Sequence, residues 1–440
     1  MKKLFSCLRC WMGPIRPMSP MSPMRPMSPM NPMSPMNPMR LISLAVVLLF
    51  ALHSSLFTLQ SCSPEPPLHL YDAQEVMMDL PIIDLELDVY WDYNDYGDGY
   101  DWQDEWYYGW DDSDRRIFGE LGYAEPTVFN LRRYYTGITP LAPHTGVVVN
   151  TVEGRHYQGR YDWGFWDLLV WNRISTIDGV QSLVFDEQTS LDSVVARTNE
   201  SMQTARYHAP KYTRSFYAPE PLFSAYERGI EVNRNLDSFT YDTERKVWTR
   251  KLNMMLLPIT YIYLTQVILH HNKGRIAAID GSSNLSGMAR TTTVNTGIAG
   301  QDAITVYYNS RMKRECPLLP YKVTANGMPE NYGNVEIVDI IGGRLVTFGM
   351  CNQAPNTIRS RSEVTDGQRH YMDVTMQFNN GTDSTFVFDV TEQVRKRYKG
   401  GVITVELDVD TISIPTRSGG SGFDAVVEET KDGGTHEFDI

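Results

Sequence analysis

Apolar side chains recur at every second position through much of this chain. Ile83, Leu85, Leu87, Val89 and Trp91 alternate with Asp84, Glu86, Asp88 and Tyr90, the period of a strand with one face buried and one in water. Residues 165–172 and 180–185 are strand-length apolar runs, and Asp178-Gly179 before the second is turn material. More such runs lie at 252–257, 261–269, 275–279, 303–308, 335–341 and 344–348. Met372, Val374, Met376 and Phe378 then alternate with Asp373, Thr375 and Gln377, and Asn379-Asn380-Gly381 turns the chain back into 385–388. An Asn-Gly turn between two such runs predicts a hairpin.

Asp389 with Glu392 three residues on predicts a capping box for a brief helix, ended by Gly400 and Gly401. The last long strand has Ile403, Val405, Leu407 and Val409 on one face, after which Ile412 and Ile414 take the opposite phase. That flip requires a bulge or bend near Asp410-Thr411. Residues 190–202 read as a short helix. Many short strands with Gly and Asn turns and few helices predict an all-β chain of β-sandwiches. The polar stretch 233–245 divides it into an N-terminal sandwich, 81–235, and a C-terminal one, 246–415. The Gly/Ser-rich, acidic tail 416–440 reads as flexible.

The N-terminus follows different rules. Met39-Arg40 leads into the apolar run 41–59 and then Gln60-Ser61-Cys62, the layout of an export signal. Leu59-Gln60-Ser61-Cys62 resembles a bacterial lipobox. That resemblance implies a lipoprotein signal peptide at 39–61, cleavage before Cys62, acylation of its thiol and a chain tethered to a membrane. The competing reading is a membrane span, which needs about 20 apolar residues; His53, Ser54, Ser55 and Thr58 thin the run. Residues 62–80 form a tether that the prolines of Ser63-Pro64-Glu65-Pro66-Pro67 stiffen. Upstream, 1–38 consists largely of Pro-Met-Ser and Pro-Met-Asn triplets, which build no core. Two readings stand for it: a translated tract before a true start at Met39, or a long signal n-region. Cys7 and Cys10 in that tract carry little weight as a redox or metal pair.

Charge narrows the partners. Removing 1–61, which holds six basic residues and no acidic ones, leaves 379 residues and takes the net charge from -13 to -19. Such a body is unsuited to nucleic acid or to an anionic membrane surface, and suits attachment through lipid, which needs two or more acyl chains to be stable. With Cys62 acylated, Cys316 and Cys351 are an even pair in an exported protein. A disulfide and two buried thiols both remain open, because sequence does not give the distance between their Cα atoms.

Residues 92–114 form an acidic aromatic insert without Lys or Arg, broken by Gly97, Gly99 and Gly109. Acidic runs are usually solvated, but disordered ones are poor in aromatics. Trp102, Trp106 and Trp110 recur every four residues, with Tyr100 and carboxylates among them. Aromatic faces beside acceptors suit sugar rings, and Asp95, Asp98 and Asp101 suit calcium. The plainer alternative is a loop that packs its rings onto its own domain. A regular calcium loop starting at Asp92 fails, with Tyr96 at position 5 and Gln103 at position 12.

No constellation points to catalysis. Gly-x-Ser-x-Gly, a phosphate-cradling glycine loop and His-Glu-x-x-His are all absent from the sequence. His270 and His271 are neighbours in an expected strand and so point to opposite faces. A glycosidase carboxylate pair ranks third, since nothing singles one out.

Several stretches together carry a family resemblance: the lipobox followed by Glu65-Pro66-Pro67-Leu68-His69-Leu70-Tyr71-Asp72, then Ala218-Pro219-Glu220-Pro221-Leu222-Phe223, and Pro258-Ile259-Thr260 before a long strand. Arg275-Ile276-Ala277 with Leu285-Ser286-Gly287-Met288-Ala289, and Asp389-Val390-Thr391-Glu392-Gln393-Val394, extend it. Over most of 62–415 the chain resembles a family of Bacteroidales surface lipoproteins built on a domain of unknown function. More distantly it is similar to the anchor subunits of type V fimbriae. The resemblance implies two tandem transthyretin-like or Ig-like sandwiches, a lipid holding a fimbrium to the outer membrane, and neither catalysis nor a cofactor. The insert departs from that pattern and leaves room for a ligand. Asp-Ser/Thr followed by an aliphatic residue or Thr is an O-glycosylation pattern of the same bacteria, met at Ser193, Ser384 and Thr411. The expected function is fimbrial anchoring, assembly or adhesion at the cell surface; the alternative is a glycan- or calcium-binding surface module. Partners implied are a membrane through the lipid, fimbrial subunits and glycan. A fimbrial subunit would dock by completing a sheet, with the strands at 372–378 and 403–409 as acceptors.

Overall fold

The first alternating run is a strand. In the computed structural model, which describes residues 80–92, 102–174, 181–186, 189–200, 215–326, 335–353, 368–415 and 425–427, β1 spans Ile82–Val89. Its Ile83, Leu85 and Leu87 are fully buried, while Glu86 and Asp88 face solvent. The chain continues through β2 (Val128–Gly137), β3 (Gly146–Glu153), β4 (His156–Arg160), β5 (Gly164–Asn172), β6 (Leu183–Asp186), β7 (Val195–Thr198), β8 (Ser215–Tyr217), β9 (Phe223–Val232), β10 (Thr240–Asp242), β11 (Val247–Pro258) and β12 (Tyr261–His270). There follow β13 (Ile276–Ala289), β14 (Thr291–Thr293), β15 (Ala303–Pro317), β16 (Ile337–Thr347), β17 (Tyr371–Phe378), β18 (Asp383–Asp389), β19 (Gly401–Asp408) and β20 (Ala425–Val427). Among the described residues four short helices punctuate them: α1 (Trp102–Glu105), α2 (Asp112–Phe118), α3 (Tyr321–Asn326) and α4 (Thr391–Lys396). The fold is all-β, as expected, and is organised around two curled sheets.

The first sheet runs β3-β2-β5-β9-β11-β1-β4, with β10 added to β11. Its two outer strands are consecutive in the chain, joined by Gly154-Arg155 alone, so the sheet rolls back toward itself. Arg133 stitches the seam: its guanidinium donates to Asn150 Oδ1 on β3 at 3.1 Å and to the Arg160 carbonyl on β4 at 2.9 Å. Inside the roll lie Ile83, Leu85, Phe129, Leu131, Leu168 and Leu256. The second sheet runs β19-β12-β16-β15-β13-β17-β18-β20, with β8 added to β15. Tyr263, Val267 and Leu269 of β12 enter one apolar cluster, and Ile262, Leu264 and Ile268 enter another. This sheet therefore buries both faces. A small third sheet, β14-β7-β6, shares a cluster with Leu169 and Trp171 of the first sheet and Phe348 beyond β16.

The hairpin forms as expected. Met372, Val374, Met376 and Phe378 are buried, and Gly381 at φ 77° supplies the left-handed turn position. Val409–Thr411 makes a single 3₁₀ turn where the phase flips, which sends both Val409 and Ile412 into the core. Four expectations need correction. The described part of 190–202, up to residue 200, is a 3₁₀ turn, Leu191–Ser193, followed by β7; Val194, Ala196 and Thr198 are buried with period two, which a strand satisfies. The boundary at 233–245 is a connection within the first sheet, because β11 pairs in parallel with β1 from Ile82–Thr249 to Val89–Leu256. The chain passes to the second sheet at Ile259-Thr260. In the tail expected to be flexible, β20 pairs in parallel with β18. Glu392 completes no capping box: it pairs with Arg395, while Asp389 alone accepts the N–H of Thr391 at 3.0 Å.

Candidate functional site

Cys62, Asp95, Asp98, Tyr100 and Asp101 lie outside the described residues. The tryptophans of the insert do not face outward, which corrects the expectation that Trp102, Trp106 and Trp110 bind a ligand. Trp106 is fully buried and Trp102 and Trp110 nearly so, packed on Ile262 and Leu264 of β12, Ile340 and Val346 of β16, and Val402 of β19. They cover the second sheet rather than the one beside which the insert sits in sequence. The fully buried Gln266 of β12 receives the backbone of the insert. Its Oε1 accepts the N–H groups of Tyr107 at 2.9 Å and Tyr108 at 3.2 Å, and its Nε2 donates to the Glu105 carbonyl at 2.7 Å. Any side chain at Gly342 would meet the Tyr108 ring at 2.3 Å.

The acidic residues serve the same docking. Asp111 caps α2 by accepting the N–H groups of Ser113 and Asp114, and Asp114 accepts that of Asp111 in return. The fully buried Asp114 also takes Lys313 Nζ at 2.6 Å, Arg311 at 3.3 Å and the Tyr108 hydroxyl at 2.9 Å. Burial alone would push the Asp111 carboxyl up, but the Asp114 N–H and Lys313 together hold it down at about 2. Asp111 and Asp114 thus meet cations of β15 and the N–H groups of a helix start, while Asp104 pairs with Lys322 and Glu105 with Arg397. Among the described residues no group of three or more His, Cys, Asp or Glu is placed to hold a metal ion.

Of the two readings left open for Cys316 and Cys351, the disulfide does not form. Cys316 packs beside the cluster under the insert, whereas Cys351 belongs to the cluster beneath the third sheet. Of the three O-glycosylation candidates, Thr411 is exposed and Ser193 half-buried on its 3₁₀ turn. Ser384 is only 6% exposed within β18, too enclosed to be modified in the folded chain. His270 and His271 are not neighbours within a strand as expected: β12 ends at His270, whose Nδ1 meets Glu336 at 2.8 Å, and His271 follows at φ 53° and meets Asp408 at 3.1 Å, with the two rings 6.4 Å apart.

Two surface features remain. The first is a cleft of about 450 Å³ where the first sheet opens. β9 and β11 share only the pairs Ser224–Leu257 and Phe223–Pro258 and then diverge. Tyr90, Trp91 and Asp92 at the end of β1 line one side, Tyr226 and Glu227 of β9 the other, and Asn295 and Lys399 close the end toward the second sheet. The second is the edge of the first sheet. Among the described residues β3 pairs with β2 alone. Val147, Val148 and Val149 along it are exposed, as are Ile138 and Leu141 in the turn before it. The edge at β19 is different. The Gln393 amide of α4 donates to the Thr404 carbonyl at 2.7 Å and accepts its N–H at 2.9 Å, taking the place of a neighbouring strand. The expected acceptor at 403–409 is therefore occupied there, and the one at 372–378 lies inside the sheet between β13 and β18.

No family model matches this chain, and no curated protein does. Solved structures do. A proposed adhesin of Bacteroides ovatus aligns at 12% identity over 76% of this chain and 94% of its own, with a TM-score of 0.41. A proposed polysaccharide-binding protein of Bacteroides thetaiotaomicron aligns at 7% over 74% and 91%, TM-score 0.33. The fimbrial anchor protein of Porphyromonas gingivalis aligns at 10% over 74% and 90%, TM-score 0.34. No helix among the described residues is long and apolar enough to cross a membrane.

Proposed function

We propose that this chain is a non-enzymatic lipoprotein of the outer membrane surface, acting in adhesion or as an attachment point for fimbriae. In this reading the export signal is removed, Cys62 carries the lipid, and each large sheet is the main layer of a transthyretin-like or Ig-like domain. The partner is a protein that docks by adding a strand. The β3 edge carries this reading. Natural sheet edges are usually blunted by Lys, Pro, a bulge or a covering element. The sequence Gly146-Val147-Val148-Val149-Asn150-Thr151-Val152-Glu153 has neither Lys nor Pro, and its three consecutive valines are exposed. A row of N–H and C=O groups flanked by apolar side chains is what an incoming strand requires.

Two experiments test the parts separately. Cells labelled with a clickable fatty acid should lose label from this chain on Cys62→Ala; label retained on the variant overturns the lipid assignment. The purified chain should co-elute with a fimbrial subunit of its own genome, and Val149→Pro, which removes an edge N–H, should abolish the complex. Absence of a complex with every such subunit refutes the docking role.

A further inference from the structure

We infer that the cleft between β9 and β11 binds a neutral oligosaccharide. Its volume of about 450 Å³ falls within the roughly 300–1,000 Å³ usual for small-ligand sites. Tyr90 and Tyr226 flank it at 45% and 43% exposure. Aromatic rings left nearly half exposed keep apolar surface available to a partner. The C–H face of a pyranose is such a partner, and Met255 and Leu257, also exposed in the cleft, extend the apolar floor.

Around those rings stand the groups that sugar hydroxyls need. Asp92 and Glu227 accept hydrogen bonds, and Asn253 both accepts and donates. The walls are braced before any ligand arrives. Trp91 stands edge-on to Tyr123 at 4.9 Å, and its ring fills the space over Gly122. Tyr123 in turn donates to the Thr260 carbonyl and meets Phe223 edge-on at 5.3 Å. On the opposite wall the Arg228 guanidinium lies 5.7 Å from the Tyr226 ring and pairs with Asp192, which also takes Asn295 Nδ2 at 2.9 Å. A braced site loses little conformational entropy on binding. Charge selects within the class: two carboxylates face one cation, Lys399, in a chain of net charge -13, which disfavours uronate and sulfated glycans.

The inference is independent of strand docking, since its readout is sugar binding and not subunit co-elution. The full chain is titrated calorimetrically with xylo-, manno- and malto-oligosaccharides and with oligogalacturonides as the anionic control. At least one neutral series should bind, at least tenfold tighter than the anionic one. Tyr226→Ala and Tyr90→Ala should each weaken it at least tenfold with the melting temperature kept, whereas Tyr241→Ala, an exposed tyrosine outside the cleft, should change nothing. The assignment is overturned if no neutral series binds at millimolar concentration, if binding survives both cleft substitutions, or if a basic peptide displaces the sugars as the preferred ligand.

Discussion

β1 and β12 differ in how many faces they bury. Along β1 every second side chain goes into the core, while Glu86 and Asp88 meet water. Along β12, Tyr261 to Leu269 are buried without exception. The two strands stand for their sheets. The first sheet packs its main apolar cluster inside its roll, gives Tyr134, Leu169 and Trp171 to the cluster under the third sheet, and leaves the β3 edge and the cleft open to partners. The second has a cluster on each side, and the insert is the cover of the outer one. Residues 102–114 of the acidic aromatic segment, which composition marks as the most distinctive candidate for binding, are thereby spent on holding the fold. The surfaces left to bind are on the plainer half.

The sharpest way to break that contrast is to empty the cover. Trp106→Ala removes a fully buried ring from between the insert and the second sheet and should cost about 3–5 kcal/mol in denaturant unfolding. Met255→Ala, at 57% exposure on the first sheet, should stay within about 0.5 kcal/mol. Equal effects would mean that the insert is not core.

Two-sided burial also traps a carboxylate. Asp373 of β17 lies opposite Asn284 of β13 and accepts its Nδ2 at 2.9 Å. Burial pushes its pKa from the ordinary 3.8 up to about 8, against that single hydrogen bond. The folded chain therefore holds a proton that the unfolded chain has released. Stability contributed by this group is present below about pH 4 and is lost as pH rises toward 8, with a slope approaching 1.4 kcal/mol per pH unit. The difference between the wild-type chain and Asp373→Asn, followed by chemical unfolding from pH 5 to 8, should show that slope; parallel curves would place the carboxylate in water. A smaller loss, about 1–3 kcal/mol, is expected for Gly342→Ala, whose methyl group would strike the Tyr108 ring. Unchanged stability would mean that the ring moves aside at no cost.

Local pattern made β1, the β17–β18 hairpin and the phase flip after β19 legible, because each depends on residues close in sequence. The β1–β11 pairing joins Ile82 to Thr249, and no local period reports a partner that distant. The boundary consequently fell in a polar connection that the first sheet spans. The cleft escaped for the same reason, as it arises where β9 and β11 part. The role of the insert did leave a signal. Tyr261–His270 is a nearly continuous apolar run, the mark of a strand buried on both faces, and such a sheet needs a cover. Acidic content argued for solvent, whereas cations at Arg311 and Lys313 and the start of α2 absorb that charge. Separate cores kept Cys316 from Cys351, a separation that composition does not encode.

The smallest effect compares the two sheet edges. At β19 the Gln393 side chain bonds both backbone groups of Thr404, whereas at β3 nothing among the described residues occupies the outer row. Gln393→Ala removes two hydrogen bonds at a buried position and should cost about 1–2 kcal/mol. Its more telling consequence is an exposed edge beside the apolar Val402 and Ile403, which should promote association between copies. Sedimentation velocity over a concentration series would show the variant forming dimers or larger species where the wild-type chain does not. Val149→Lys at β3 should do the reverse, leaving stability within about 0.5 kcal/mol and weakening any strand-mediated complex, since a charge on an edge opposes pairing. If Gln393→Ala stays monomeric while Val149→Lys leaves subunit binding intact, the difference between a plugged and an open edge has no bearing on how this molecule finds its partners.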